Sequence, residues 1–501
     1  MNPMRLRRII SWTLAGVMML GLVSCGNNEQ VDSDKQKEEV KQQQYIIGEE
    51  PLAFVSDADV KFVKQEADYI HVYDKSELDD KSGIIIEVDA EAAKQTIDGF
   101  GASFTDTASY LFMELPEDKR EDVMVKLFDE EKGIGLDLIR NPIGACDFSL
   151  EYYTYDDMPE GQEDFELNNF DFSKAANQVA LTKRAMELNP DIKLFLAPWT
   201  APLWMKTEYE WLGTANASLR RDCYNAYANY LVKCIQGYEE QGVPVYSISV
   251  QNEPFSSLDW PGMMWNWEQL ANFTNDRLRP ALDAAGLTTK IHNLDYNWSR
   301  IADGGEQIMA STIGNADGMA FHWYYGEPEQ MAEFAENFPG VDMYVTEASY
   351  DRPSSLAQML KITSYAARSL RSGANGYIMW NLAVGPNGGP SYRDINLHNS
   401  GLLTIDEETD SVEFTGDFYS MAHFSKFIHQ GAVVVDSTDT GIDSEYKLVN
   451  VVTRNPNGTM TAVIVNSNAN EDAVCKFVMG DKVMEATVAA RSMVTITWNA
   501  N

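Results

Sequence analysis

Between about residues 96 and 400, short apolar runs that end in polar or aromatic residues alternate with stretches whose apolar positions recur three and four apart. Apolar runs of this length suit strands buried on both faces, and the spacing between them suits helices packed over a sheet. Eight such runs can be counted, at 97–104, 136–143, 194–198, 246–250, 291–295, 319–323, 343–346 and 377–380. Strands alternating with helices predict a parallel sheet, and eight repeats over about 300 residues predict a closed barrel rather than an open sheet. The first run contains Gly99-Phe100-Gly101, which also reads as a turn.

The flanks follow a different pattern. Residues 45–97 are β-rich, with 84–88 the clearest strand. After about 405 the helical spacing largely stops, and 446–453, 460–465, 473–478 and 493–498 read as strands separated by turns at 455–458 and 466–471. The expected architecture is an α/β fold: a (β/α)8 TIM barrel over 98–400 with an attached antiparallel β-sandwich. Residues 401–501 would form the sandwich, completed by N-terminal strands from 45–97. At the start of the chain, Arg5, Arg7 and Arg8 precede an apolar run over 9–23 and the small residue Ser24, the layout of an export signal. The run is too short and too interrupted to span a membrane. Leu22-Val23-Ser24-Cys25 resembles a bacterial lipoprotein signal. That resemblance implies removal of residues 1–24, lipidation of the Cys25 sulfur and an exported protein anchored to the cell envelope by lipid alone. Residues 25–44 are polar and aperiodic, as a flexible tether would be.

Composition narrows the partners. The 501 residues carry a formal net charge of -37, and loss of residues 1–24 takes this to -40. Such a surface repels phosphate backbones and acidic polysaccharides, which argues against nucleic acid and for a neutral ligand. The 11 Trp and 23 Tyr suit flat, polar-edged ligands such as sugars. Cys146, Cys223, Cys234 and Cys475 show no paired spacing. Cys223 and Cys234, eleven apart on one expected helix, would stand about 16 Å apart along its axis, beyond disulfide reach. The six His are scattered and no Gly-rich phosphate loop follows a strand, so neither metal nor cofactor is expected.

Barrel enzymes build their sites from the carboxyl ends of the strands. Here those ends offer Arg140-Asn141 with Asp147, Trp199, Asn252-Glu253, Asn297-Trp298, His322-Trp323-Tyr324, Glu347 and Trp380-Asn381. Two carboxylates among aromatic residues suit glycoside cleavage, which needs one carboxyl protonated and one ionised. Glu253, before Pro254, suits the general acid/base, because burial opposite a second negative charge raises its pKa. Glu347 suits the nucleophile, held ionised by Arg140 and the Tyr324 hydroxyl. Asn252 and Asp147 can hold sugar hydroxyls, Trp199 and Trp380 offer stacking faces, and His322 suits hydrogen bonding within the pocket. Trp204, Trp211, Trp260, Trp265 and Trp267 lie in loops beyond the third and fourth strands, as outer subsites or as packing. Retaining and inverting mechanisms both remain open at this point, as does a surface lipoprotein that binds glycans without cleaving them.

At these residues the chain resembles glycoside hydrolase family 30, the group that includes lysosomal-type glucosylceramidases and β-1,6-glucanases. The resemblance rests on Gly99-Phe100-Gly101-Ala102-Ser103-Phe104-Thr105-Asp106, Gly133-Ile134-Gly135 with Ile139-Arg140, Cys146-Asp147-Phe148-Ser149 and Ala197-Pro198-Trp199-Thr200-Ala201-Pro202. It continues through Gln251-Asn252-Glu253-Pro254, His322-Trp323-Tyr324, Thr346-Glu347-Ala348 and Trp380-Asn381-Leu382-Ala383. It implies a barrel with a β-sandwich and retention through a covalent glycosyl-enzyme. Glu253 would be the acid/base and Glu347 the nucleophile, with Arg140, Asp147, Trp199, Asn252, Tyr324 and Trp380 in the pocket. The segment at 260–267 and the loop after Tyr350 depart from the glucosylceramidases. The expected substrate is therefore a neutral β-linked glycan of the β-1,6-glucan kind, with a glucosylceramide, β-glucoside or β-xyloside as the alternative.

Overall fold

In the computed structural model, which describes residues 45–48, 50–393, 398–441 and 447–500, parallel pairing runs unbroken around eight strands. These are β1 (Gly99–Ser103), β2 (Leu138–Ile143), β3 (Lys193–Pro198), β4 (Val245–Ile248), β5 (Lys290–Asn297), β6 (Gly318–His322), β7 (Asp342–Glu347) and β8 (Gly376–Val384). β8 pairs with both β7 and β1, which closes the barrel. Every run counted from the sequence is one of these strands. The Gly99-Phe100-Gly101 segment is a strand and not a turn, and its glycines have a packing reason. A Cβ on Gly101 would fall 1.7 Å from the Leu138 carbonyl oxygen, so only glycine lets β1 lie this close to β2. The export signal, Cys25 and the tether all precede the described residues.

The strands are irregular mainly toward their carboxyl ends, although β3 also shifts register near its amino end, between Leu194 and Phe195. Pairing shifts register between Leu294 and Tyr296, between Phe321 and His322, and between Met379 and Asn381. A bulge of this kind re-aims the side chains around it. Asp295, His322 and Trp380 are turned toward the same end of the barrel by these three shifts.

The second body is one ten-stranded sheet curled over on itself. Its long strand Ile84–Thr96 belongs to both halves, pairing with Ala473–Met479 at its start and with Val433–Ser437 along the rest. Ile86, Val452, Ile464, Phe477, Met484 and Ile496 fill the space between the halves. Leu52–Ser56 and Ile70–Asp74 join from the N-terminal side. Two features differ from the expected antiparallel sandwich. The pairing of Ile84–Thr96 with Ala473–Met479 is parallel, and Val433–Ser437 and Lys482–Val488 are additional strands.

The join between the two bodies also lies later than residue 400. Gly401–Asp406 runs parallel to β8 and turns back as Ser411–Phe414. The helix Gly416–Ser425 then packs on helix Leu356–Arg371 and on β1. This helix is buried on nearly every side, so it carries no one-sided apolar stripe to betray it in the sequence. From it, His423 makes two hydrogen bonds across the join, Nδ1 with Thr495 Oγ1 at 2.9 Å and Nε2 with Ser56 Oγ at 2.8 Å. Arg371 adds contacts to Ser437 of the sheet, both at 2.9 Å.

Burial pushes the His423 imidazole down to about 3, so the folded state holds it neutral. Stabilisation from that neutral ring is complete above the ordinary value of 6.5 and declines as pH falls toward 3, because the unfolded chain takes up the proton first. Urea unfolding of the wild type and His423→Gln should show a stability gap that narrows on acidification, by about 1 kcal/mol per pH unit. A gap independent of pH would mean that the ring is not held neutral at the join.

Candidate active site

The segment after β4 begins at Ser249-Val250-Gln251 and reaches Glu253 with the backbone in the left-handed region, φ 48°. Pro254 follows, and the Pro254 carbonyl accepts from Trp265 N at 2.8 Å. Asp295 on β5 has the same backbone setting, also φ 48°. Such conformations are costly for residues other than glycine and persist only where the surroundings impose them. Glu253 N donates to the Asp295 carbonyl at 3.0 Å, so the two strained residues support each other.

Arg140, on β2, is the hub of the site. Its guanidinium is 1% exposed. Nη1 donates to Glu347 Oε2 at 2.9 Å, and Nη2 donates to Asn252 Oδ1 at 2.8 Å and to Asp295 Oδ2 at 2.9 Å. Glu347 Oε1 accepts from the Tyr324 hydroxyl at 2.9 Å. With Oδ1 of Asn252 occupied by Arg140, its amide NH2 is left for the cavity. His322, fully buried, lies between Asp295 Oδ1 at 3.1 Å and Glu253 Oε1 at 3.3 Å, with Glu347 Oε2 at 3.9 Å. Thr346 Oγ1 donates to Asp295 Oδ1 at 2.7 Å.

Charge is divided unequally over this network. Burial pushes the Glu253 carboxyl above its ordinary range; Glu347 and Asp295 add to the rise, and His322 opposes it. Burial alone would raise Asp295 too, but Arg140 and His322 hold it well below the usual carboxylate range. Burial opposes charge on His322, yet the facing Glu347 and the bonds to Asp295 and Glu253 lift it to about 9. Burial and the Glu347 charge push Asp147 up to about 7. Stabilisation from His322 is therefore complete below 6.5 and lost as pH rises through about 9. Asp147 holds its proton more tightly in the folded state, so its contribution is full below 3.8 and fades as pH rises to about 7.

The network stands at and behind the wall of a cavity of about 400 Å³ at the carboxyl end of the barrel. Of the residues singled out from the sequence, Asp147, Trp199, Asn252, Glu253, Tyr324, Glu347 and Trp380 line it. Arg140 and His322 stand behind the lining and act on it through Glu347, Asn252 and Glu253. Trp199 and Trp380 stack on each other, centroids 5.0 Å and planes 17° apart, so each gives one face to its neighbour. Arg140 lies 5.0 and 5.5 Å from the same two rings. Trp260 is the loop tryptophan that borders the cavity. Trp204 and Trp265 are buried in packing, Trp211 stacks on Tyr152, and Trp267 opens a helix. The four cysteines of the body are free and buried. A larger hollow of about 730 Å³ lies on the outer helical wall between Ala176–Leu188 and Tyr224–Glu240, with Glu240 its one carboxylate.

Sequence reasoning passed over Asp295, Ser256, Tyr296, Tyr325, Arg393 and Asn399, while Asn297, named there as a strand end, lines the cavity. Asp295 left little signal, because its strand Lys290–Asn297 also carries His292, Asn293 and Asn297. Tyr296 lies on β5 just beyond its register shift, and the others sit outside the barrel strands, where spacing carries no information.

Comparison with known proteins fits this geometry. Residues 97–428 match the glycosyl hydrolase family 30 TIM-barrel domain. The chain belongs to glycoside hydrolase family 30. It is 31% identical over 417 residues to an endo-1,6-β-D-glucanase of Neurospora crassa, across 80% of this chain and 85% of the relative. Among solved structures it is similar to SrfJ from Salmonella typhimurium, with a TM-score of 0.83 and 27% identity over 90% of this chain and 100% of the other. The endo-β-1,6-glucanase BT3312 follows with a TM-score of 0.77 and 25% identity, over the same shares of each chain. This family 30 chain is a glycosidase of the barrel-plus-sheet type.

A cationic His322 beside Glu253 favours the ionised carboxylate. In His322→Gln that charge is gone, and the Glu253 pKa should rise further. The alkaline limb of the kcat/KM profile should then move to higher pH, with a lower maximum. An unmoved limb would show that His322 carries no charge near the acid.

Proposed function

We propose that the chain is a retaining β-glycosidase acting on β-linked glucan, with Glu253 as acid/base and Glu347 as nucleophile. The unequal environment of the two carboxyls carries this reading. Both Glu347 oxygens accept hydrogen bonds, Oε2 from Arg140 and Oε1 from Tyr324, which fixes the carboxylate for attack. Glu253 is raised by burial and meets one imidazole. Glu347 attacks the anomeric carbon while Glu253 protonates the departing glycosidic oxygen, leaving a glycosyl ester on Glu347. Glu253, now ionised, takes a proton from water, which displaces the ester with a second inversion and net retention. Asn252, through its free amide group, and Asp147 hold hydroxyls of the bound ring. Likeness to endo-β-1,6-glucanases supports a β-1,6-linked chain as substrate.

The Leu22-Val23-Ser24-Cys25 pattern supports an exported lipoprotein anchored through Cys25, where a polysaccharide is the accessible glucan. Metabolic labelling with palmitate should tag the wild type and leave Cys25→Ala unlabelled; equal labelling would remove the anchor.

Glu347→Gln should lower kcat on pustulan by about 10³-fold or more. Glu253→Gln should lose glucan turnover but keep more activity toward an aryl β-glucoside, whose leaving group needs no proton. Proton NMR of the first product should show the β anomer, and an α anomer would exclude retention. Near-wild-type hydrolysis by Glu347→Gln would end the assignment.

A further inference from the structure

One contact at the cavity mouth joins opposite sides of the barrel. β4 and β8 are four places apart in a ring of eight, yet the segments that follow them meet at the edge of the cavity. Arg393, after β8, donates from Nη2 to Asp259 Oδ2 at 2.7 Å. Its guanidinium also lies 5.6 Å from the centroid of Trp260. Asp259 and Trp260 belong to the short strand Leu258–Pro261 after β4. Arg393 and Trp260 both line the cavity, while the Asp259 side chain is 70% exposed.

The crossing has a built base. Tyr392 N donates to the Ser149 carbonyl at 2.8 Å, Ser391 Oγ to the Asp147 carbonyl at 3.1 Å, and Arg393 N to Ser391 Oγ at 3.1 Å. The segment carrying Arg393 is thereby tied to the segment after β2. Tyr152 fills the space between, tilted against Tyr392 at 4.2 Å and stacked on Trp211 at 5.5 Å. Strand Leu258–Pro261 pairs in turn with Leu212–Gly213 after β3. Segments following β2, β3, β4 and β8 form one connected wall.

We propose that Arg393 is a specificity-determining residue, whose clasp on Asp259 and Trp260 closes this arc of the mouth and makes a pocket of what would be a through-cleft. This rests on reading the cavity as a β-glucan site and adds what governs chain length. A glycan enters end-on, its terminal ring meeting Asp147 as acceptor and Arg393 as donor, and a long chain cannot lie across the arc. Selection by chain length is then set by an ion pair at the rim and not by the catalytic carboxyls.

The test is the ratio of kcat/KM on pustulan to kcat/KM on 4-nitrophenyl β-glucoside, for wild type, D259A, R393A and the double variant. D259A should raise the ratio about 2- to 5-fold. R393A, which also loses the contact with Trp260, should raise it about 3- to 10-fold. The double variant should go no further than R393A, since both changes open one clasp. Asp259 is exposed and borders no substrate, so D259A keeps the test valid if R393A folds poorly. An unchanged ratio in D259A, or single effects that multiply, would overturn the proposal. A wild type that cleaves the aryl glucoside but not pustulan would count against the β-1,6-glucan reading instead. The same ratio, taken on whichever β-linked chain it does cleave, would then decide the clasp.

Discussion

A guanidinium sealed from water inside a barrel is the constraint around which the site is arranged. Arg140 is desolvated on every side, and an uncompensated buried charge costs several kcal/mol even after relaxation. Asp295 and Glu347 provide its counter-charges at 2.9 Å each, and Asn252 accepts a third bond. His322 adds a second cation between Asp295 and Glu253. Two cations are thus matched by two firm anions. The remaining cavity carboxyls, Glu253 and Asp147, are left with less compensation, and burial raises both. The division of labour between a proton donor and a nucleophile follows from this local electroneutrality.

Holding that arrangement requires departures from ideal geometry, and these are concentrated at one end of the barrel. Glu253 and Asp295 take left-handed backbone conformations, and the register shifts in β5, β6 and β8 lie within the same layer. Apart from one shift between Leu194 and Phe195, the rest of the barrel strands pair in register and supply the stiffness against which the strain is held. The curled sheet contributes at a distance. It buries the helix Gly416–Ser425, which packs on β1 and on the helix between β7 and β8, and so braces the strands that carry Glu347 and Trp380.

What could be read from the chain and what could not divide along a physical line. Eight strands were legible because each is buried on both faces and so is built around a short apolar run, whatever its neighbours are. Glu253 and Glu347 were legible because each ends such a run, where side chains point out of the barrel and a carboxylate needs a reason to stand. Asp295 escaped because its strand already holds His292, Asn293 and Asn297, among which one more polar residue does not stand out. The helix Gly416–Ser425 escaped because complete burial erased its periodicity, and the barrel was accordingly expected to end too soon.

The order of residues therefore determined the barrel, the carboxylate pair and the aromatic character of the strand ends, since each depends on local pattern and burial. Tertiary structure alone decided which cations meet which anions, that Trp199 and Trp380 pair face to face, and that Arg393 reaches Asp259 across the mouth. Those contacts join residues far apart in the chain, from 27 positions for His322 and Asp295 to 207 for Arg140 and Glu347. Their partners are selected by the closure of the barrel and the course of its loops, which no spacing along the chain records.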